Sequence, residues 1–278
     1  MPEDHSLAWK QIQAALTDCQ GDTDAFALTL RREHIAHISF SQVSAVEFCP
    51  RRYYLQYVLG CEPEPLPDYF RKGKLLHQLI AHSYLQQIDG QAAYPDEDDE
   101  LEAAQAREMI ASHFEGEAQR QLLNAFHLHQ QHRWQEVQVL AVEHAFVMRA
   151  GDGLPPMVGV IDLVLQREGA VVLVDHKTGR GFYPDDELQV AIYAKYVQQT
   201  YGGPPSRLFY DHYRWVTHLE RVRKPAFQRS EARNEESQWP LFLERIQRAY
   251  SVIRRIHSGG EAACSGECFR CPYRGMCR

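Results

Sequence analysis

The sequence predicts one α/β domain with additional helical segments, and three observations support this fold class. The segments 137–150, 157–168 and 170–179 are rich in apolar and β-branched residues and are separated by turn residues, which is typical of successive strands. Apolar residues recur at helical spacing in segments on either side of these strands, namely 71–88, 185–202 and 239–260. A further strand, 207–217, follows a helix, so helix and strand alternate in this half of the chain.

The boundaries of the predicted units follow from these patterns. We assign residues 1–37 to an N-terminal extension containing an amphipathic helix, and residues 38–278 to a single domain. Within that domain, about 75–135 forms a helical insertion, about 137–217 forms the core with the strands, and 264–278 forms a cysteine-rich end.

Local capping signals refine two of the helices. The segment 38–60 reads as a helix with Ser41 as its N-cap, and Pro50 is expected to interrupt it just after Cys49. Asp185 is the expected N-cap of the helix at 185–202.

Composition limits the possible function classes. The chain has 278 residues, of which 44% are hydrophobic and 24% charged, as is ordinary for a globular protein. No apolar run approaches the roughly 20 residues of a membrane helix, and the acidic N-terminus does not resemble a signal peptide, so we expect a cytoplasmic protein without membrane contact. The net charge of -7 argues against a simple non-specific nucleic-acid binder, although carboxylates that bind metal would lower this sum.

Charged residues stand where two predicted strands should be buried. Asp162 interrupts the strand "VGVIDLVL", and Asp175 follows "VVLV". Two buried carboxylates are costly unless a cation lies between them, and Mg²⁺ or Mn²⁺ prefers such oxygen ligands. Lys177 shares a strand face with Asp175, whereas His176 points away and offers only its backbone carbonyl to a metal. This combination suits phosphodiester hydrolysis. Taken separately, Asp175 and Lys177 also fit an ordinary strand-end ion pair, and Asp162 also fits the start of a turn.

Three further polar residues fit the same site, although each alone is more often structural. Gln189 and Tyr193 are four residues apart on one helix and therefore lie on one face, which could lean over the strand ends. His77 lies within the apolar stripe of the helix at 71–88.

Taken in order, these motifs resemble those of the RecB-like nucleases of the PD-(D/E)xK superfamily. The matching elements are His77, "GVID" ending at Asp162, "DHK" from Asp175 to Lys177, and "QVAIY" from Gln189 to Tyr193. The resemblance implies a restriction-endonuclease-like mixed sheet flanked by helices. It also implies that His77, Asp162 and Asp175 bind the metal, that Lys177 assists catalysis, and that Gln189 and Tyr193 support the site or contact DNA. Glu143 matches an acidic position of the family more weakly.

Seven cysteines suggest a second metal site. Cys268, Cys271 and Cys277 have the spacing C-x2-C-x5-C, and either Cys264 or Cys49 could supply a fourth thiolate. A site with Cys264 would be a zinc knuckle. The chain is also similar to CRISPR-associated RecB-like exonucleases and to the AddB nuclease, and this resemblance favours Cys49 and a [4Fe–4S] cluster that joins the two ends of the domain.

The expected function is therefore a metal-dependent deoxyribonuclease acting on single-stranded DNA or DNA ends. Arg51, Arg52 and Tyr53 are weak candidates for DNA contacts, because arginine binds phosphate and tyrosine stacks on bases, although the tyrosines equally fit helix packing. The resemblance implies a role in CRISPR adaptation, DNA repair or phage defence, with a helicase or CRISPR integrase as partner. One alternative is a catalytically silent DNA-binding or adaptor module, and another is a zinc-stabilised RNase or adaptor protein.

Overall fold

A mixed sheet forms the centre of the computed structural model, as the family resemblance implied, and six of its strands lie in the described residues. The structure describes residues 5–62, 68–88, 96–182, 186–203, 205, 207–233, 236–265, 268 and 271–277. The strands are β1 (Ile38–Ser39), β2 (Gln138–Met148), β3 (Met157–Arg167), β4 (Ala170–Gly179), β5 (Arg207–Arg214) and β6 (Phe227–Glu231). In the sheet, β3 pairs antiparallel with β2 and β4, β4 pairs parallel with β5, and β5 pairs antiparallel with β6.

Helices cover both faces of this sheet. In chain order they are α1 (Ser6–Asp18), α2 (Thr23–Arg32), α3 (Phe40–Phe48), α4 (Pro50–Tyr53), α5 (Asp68–Ile88), α6 (Asp96–His113), α7 (Gly116–His132), α8 (Glu187–Tyr201) and α9 (Trp239–His257). One apolar layer joins the sheet to α3, α8 and α9, and a second joins its other face to α5, α6 and α7. Strand residues therefore contribute side chains to both layers, which explains their continuous hydrophobicity.

The segment after α3 changes direction at the predicted proline. Cys49 has extended backbone angles, α4 begins at Pro50, and a π-helical turn spans Tyr54–Val58. The missing N–H of proline is harmless at the first position of a helix, so Pro50 starts a new helix here.

Two predicted caps need correction. Ser39, not Ser41, caps α3 through a capping box with Gln42, because the helix begins two residues earlier than expected.

The N-cap of α8 is Asp186, whose side chain accepts a hydrogen bond from the Leu188 amide. The predicted cap, Asp185, lies outside the described residues. The helix ends at Tyr201, and Gly202 follows in the left-handed conformation that glycine adopts without strain.

The N-terminal extension contains two helices where the sequence indicated one. We call α1 and α2 together the N-terminal hairpin. Its apolar residues, including Ile12, Phe26 and Leu30, form a small core with Val158 of β3 and partly buried residues of β2. The extension is thus packed on the sheet. In the described part of the chain, no helix is long and apolar enough to cross a membrane.

Candidate active site

The strands β3 and β4 separate at the position of the predicted acidic residues. Their ladder runs from Arg167 opposite Ala170 to Leu163 opposite Val174, and the described pairing goes no further. Asp162 is the next residue of β3, and its Oδ2 accepts a 2.7 Å hydrogen bond from the His176 amide. The carboxylate therefore takes the place of a backbone hydrogen bond between the two strands. We call this point, where β3 and β4 separate between Asp162 and His176, the fork.

Three side chains from three elements meet at this fork. His77 of α5, Glu143 of β2 and Asp162 of β3 each place a ligand atom within 4.8 Å of the others. The Nδ1 atom of His77 lies 3.6 Å from Asp162 Oδ2 and 3.9 Å from Glu143 Oε1. One imidazole nitrogen and two carboxylates form a donor set that suits Mn²⁺ or Mg²⁺. The geometry thus fits a divalent metal, with Glu143 in the group.

Glu143 has an unusual backbone conformation for a strand residue. Its φ is +45°, in the left-handed region that costs a non-glycine residue free energy. Its neighbours in β2, Val142 and His144, pair with Leu163 and Ile161 of β3, on either side of Asp162. The strain is therefore concentrated at the residue whose carboxylate joins the metal group, which is where functional strain is commonly stored.

A chain of hydrogen bonds joins the remaining predicted site residues on the α8 side of the sheet. Lys177 Nζ lies 2.6 Å from Asp175 Oδ2 and donates to Gln189 Oε1 at 2.7 Å. The Gln189 amide nitrogen donates to Asp175 Oδ1 at 3.2 Å and to the Tyr193 hydroxyl at 2.8 Å. Asp175 and Lys177 share a face, as strand alternation predicted. Gln189 contacts both side chains and fixes their separation.

The electrostatics of the fork favour cation binding. Burial, with added repulsion from Asp162 and Asp175, raises the pKa of Glu143 to about 8. Burial and Asp162 also raise the pKa of Asp175 to about 6, although the Lys177 ammonium opposes this rise. Burial raises the pKa of the Tyr193 hydroxyl well above its usual range, so Tyr193 stays neutral. The carboxylates are thus crowded in a manner that a divalent cation would relieve.

His176 points to the opposite face, as predicted. Its buried ring packs near His129 and Tyr213, and burial lowers its pKa to about 4. Its edge also approaches the ring of His77, with 6.1 Å between the ring centroids. Its backbone amide contacts Asp162, while metal ligation by its carbonyl stays a prediction.

The cysteines from the two ends of the domain lie close together. Cys49 is buried, and Arg51, two residues later, donates its amide to the Ala263 carbonyl at 3.1 Å. Burial raises the pKa of the Cys49 thiol, but donors from Ser265, Arg51 and Arg52 outweigh it and lower the pKa overall. Backbone donors around a thiol stabilise the thiolate, which is the form that binds metal.

The C-terminal cysteines are coupled to this group. Burial and the thiols of Cys271, Cys264 and Cys49 raise the pKa of Cys277. Cys264 Sγ lies 3.2 Å from Cys268 Sγ, and this contact helps raise the pKa of Cys268 to about 11. Both candidates for the fourth ligand, Cys49 and Cys264, therefore lie beside the predicted three.

A groove of about 1200 Å³ extends between the residues of the fork and the cysteine-rich end. Asp162, Gln189 and Tyr193 line it, as does Tyr273 of the cysteine-rich end. We call it the α2–α5 groove, because α2 and the first turns of α5 form much of its lining.

Of the weak DNA-binding candidates, Arg52, Tyr53 and Tyr193 line this groove, whereas Arg51 places its guanidinium over the Tyr54 ring. Tyr53 is only 2% exposed, with its hydroxyl 3.1 Å from His257, so its ring is packed in the core and cannot stack on a base. The exposed aromatic residues of the groove are Tyr69 and Phe70, which the sequence reading missed. Their signal is the adjoining "YFRK", in which two aromatics precede basic residues at a helix start.

A family model described as the PD-(D/E)XK nuclease superfamily matches residues 37–278. The crystal structure of SSO0001 is similar to this chain with a TM-score of 0.37 and 14% identity, over 86% of this chain and 98% of that one. No curated protein is a significant match to the chain.

Proposed function

This chain belongs to the PD-(D/E)XK nuclease superfamily, and we propose that it is a divalent-metal-dependent deoxyribonuclease that cuts single-stranded DNA or DNA ends. The observation that carries the proposal is the convergence of His77, Glu143 and Asp162 beside the hydrogen-bonded group of Lys177, Asp175 and Gln189. A superfamily match alone gives a metal-dependent nuclease. The intact donor set argues against the alternative of a catalytically silent binding module.

The residues of the fork have separable roles in this proposal. His77, Glu143 and Asp162 hold the metal, with Asp175 as a neighbouring carboxylate. A bound divalent cation would polarise the phosphate and lower the pKa of an attacking water. Lys177 places a positive charge where negative charge develops on the phosphate, and Asp175 and Gln189 hold its ammonium in position. Tyr193 keeps Gln189 oriented through their 2.8 Å hydrogen bond.

The cysteines support a second cofactor in the same protein. We propose a [4Fe–4S] cluster on Cys49, Cys268, Cys271 and Cys277, which would join the start and end of the domain. The amide donors around Cys49 and its proximity to the C-terminal cysteines support this ligand set. The competing zinc site would use Cys264, which the 3.2 Å contact with Cys268 favours.

Substitution of the two candidate fourth ligands separates the cofactors. Protein purified without oxygen should show iron–sulfur visible absorbance that Cys49→Ser abolishes and Cys264→Ser retains. Colourless protein whose zinc content falls in Cys264→Ser would overturn the cluster.

The nuclease is tested with one labelled sequence supplied as single-stranded DNA, duplex DNA and RNA. Wild-type protein with Mn²⁺ should cleave the single strand or trim duplex ends, and Asp175→Ala should not. Protein that binds the DNA but cleaves none of the three would favour the silent module. Cleavage of RNA alone would reject the deoxyribonuclease. A helicase or integrase partner would then be sought by pull-down from host cells. Such a partner would indicate a role in CRISPR adaptation, repair or phage defence.

A further inference from the structure

We infer that the N-terminal hairpin, which precedes the superfamily match at residue 37, is part of the substrate-binding surface. Specifically, the α2–α5 groove binds an unpaired nucleic-acid strand through Arg31 of the hairpin and through the aromatic pair Tyr69 and Phe70 of α5. This inference deepens the proposed nuclease function, because the role of the bound strand as a substrate rests on that function.

The hairpin is held firmly enough to form a groove wall. Phe26 and Leu30 on its inner side are buried against Val158 of β3. Lys74 of α5 makes a 2.7 Å ion pair with Asp24 of α2, which joins the two walls. Lys74 precedes His77 by three residues, so this bridge lies on the same part of α5 as the metal-binding histidine. Exposed ion pairs stabilise little, and the apolar contacts carry most of the attachment.

The charge of the groove is opposite to that of the whole protein. More basic than acidic residues line it, although the chain has a net charge of -7. The basic residues are Arg31, Arg52, Arg71, Lys74 and Arg254, and the acidic ones are Asp24, Glu62 and Asp162. Arg31 is exposed and lines the groove, and among the described residues it makes no ion pair. Arg31 therefore faces into the groove, and a cationic groove in an acidic protein selects a polyanion.

The exposed aromatics identify the form of the polyanion. Tyr69 and Phe70 are 59% and 57% exposed, in adjacent positions on the first turn of α5, and both line the groove. Large exposed aromatics beside basic residues provide stacking surfaces for bases. Bases within a duplex are already stacked on one another, so this surface fits an unpaired strand. Asp162 lines the same groove, which connects the stacking surface to the fork.

The chain offers matched controls for both kinds of contact. Arg32 follows Arg31 on α2 and is also exposed, but it does not line the groove. Tyr201 at the end of α8 is 46% exposed and lies outside the groove. Because all these side chains are at the surface, their removal leaves the core intact.

The test measures binding separately from cleavage. Each variant is built on Asp175→Ala, and fluorescence anisotropy follows a labelled oligothymidylate across a salt series without divalent metal. Tyr69→Ala and Phe70→Ala should each weaken binding on the order of tenfold. Arg31→Ala should reduce the slope of log K against log salt by about 0.7, the value for one phosphate contact on a single strand. Arg32→Ala and Tyr201→Ala should match their parent.

The outcomes distinguish this inference from the proposed function. Affinities of the Arg31, Tyr69 and Phe70 variants equal to those of the controls, or equal affinity of all proteins for duplex and single strand, would overturn the groove assignment even if the enzyme cuts DNA. The expected losses in a protein whose Asp175-intact form cuts nothing would support the groove and reject the nuclease.

Discussion

Glu143 should destabilise the metal-free protein while being required by the metal-bound one. Its pKa is raised from 4.5 to about 8, chiefly by burial and secondly by repulsion from Asp162. Between about pH 4.5 and about pH 8, the carboxyl of Glu143 therefore keeps its proton in the folded state and has lost it in the unfolded state. Stability falls as the pH rises from about 4.5 through about 8, and the full penalty is present above that range. Glu143→Gln removes this penalty because the amide does not ionise.

The magnitude follows from the size of the pKa shift. A rise of roughly 3.5 pH units corresponds to about 5 kcal/mol at most. The Glu143 side chain is 30% exposed, and part of the repulsion is shared with the other carboxylates. We therefore expect Glu143→Gln to raise the free energy of unfolding by about 2 kcal/mol. For a domain of this size, that amounts to a rise in Tm of several degrees.

Thermal unfolding in chelator tests this prediction. Without metal, Glu143→Gln should unfold at a higher temperature than wild type near pH 8 and at a similar temperature near pH 5. Added Mn²⁺ should raise the Tm of wild type and have little effect on the variant, because a ligand stabilises only the state that binds it. Exposed Glu108→Gln on α6 is the control and should follow wild type. A variant less stable than wild type near pH 8 in chelator would show that ionised Glu143 does not destabilise the metal-free fold.

Three further predictions concern other side chains. Lys177→Met should lower kcat by on the order of 100-fold while keeping Mn²⁺ affinity, measured by calorimetry, because the ammonium acts on the phosphate; loss of metal binding would contradict this role. Tyr193→Phe should lower kcat by only several-fold, since Gln189 keeps its bonds to Lys177 and Asp175; inactivation would mean that the hydroxyl acts directly. Cys49→Ser should lower the Tm of anaerobically purified protein, whereas Cys19→Ser, at a cysteine that packs against the core of the N-terminal hairpin, should not; equal changes would remove the case for a Cys49 metal ligand.

The sheet and the strands of the fork were predictable because their sequences carry strong local signals. The strands at 137–150, 157–168 and 170–179 lie within a residue or two of β2, β3 and β4, since each is a long apolar run between turn residues. The shared face of Asp175 and Lys177 follows from strand alternation alone. The two shortest strands, β1 and β6, were missed: β1 has two residues, and β6 reads "FQRSE" without an alternating apolar pattern.

The convergence of the site was only partly readable. The distance from His77 to Asp162 depends on how α5 packs on the sheet, and local periodicity contains no such information. The motif order suggested it only by resemblance. Support in the sequence for Glu143 as a site residue was weak, because one acidic residue in a strand is a weak signal. The position of its side chain also depends on a left-handed φ that no sequence pattern reveals. Burial of Tyr53 was equally unreadable, since a tyrosine beside arginines looks the same in a core and on a surface.

A metal-dependent nuclease at the fork is tested by cleavage of labelled single-stranded DNA in Mn²⁺ by wild type and Asp162→Asn. Asp162 accepts a hydrogen bond from the His176 amide and contacts His77. Asp162→Asn therefore keeps the shape of the fork and removes the negative charge that holds the metal. The exposed Asp152→Asn serves as the control. We expect that wild type and Asp152→Asn cleave, that chelator stops both, and that Asp162→Asn is inactive although folded. Full activity of Asp162→Asn, or cleavage that persists in chelator, would contradict a metal-dependent nuclease at this fork.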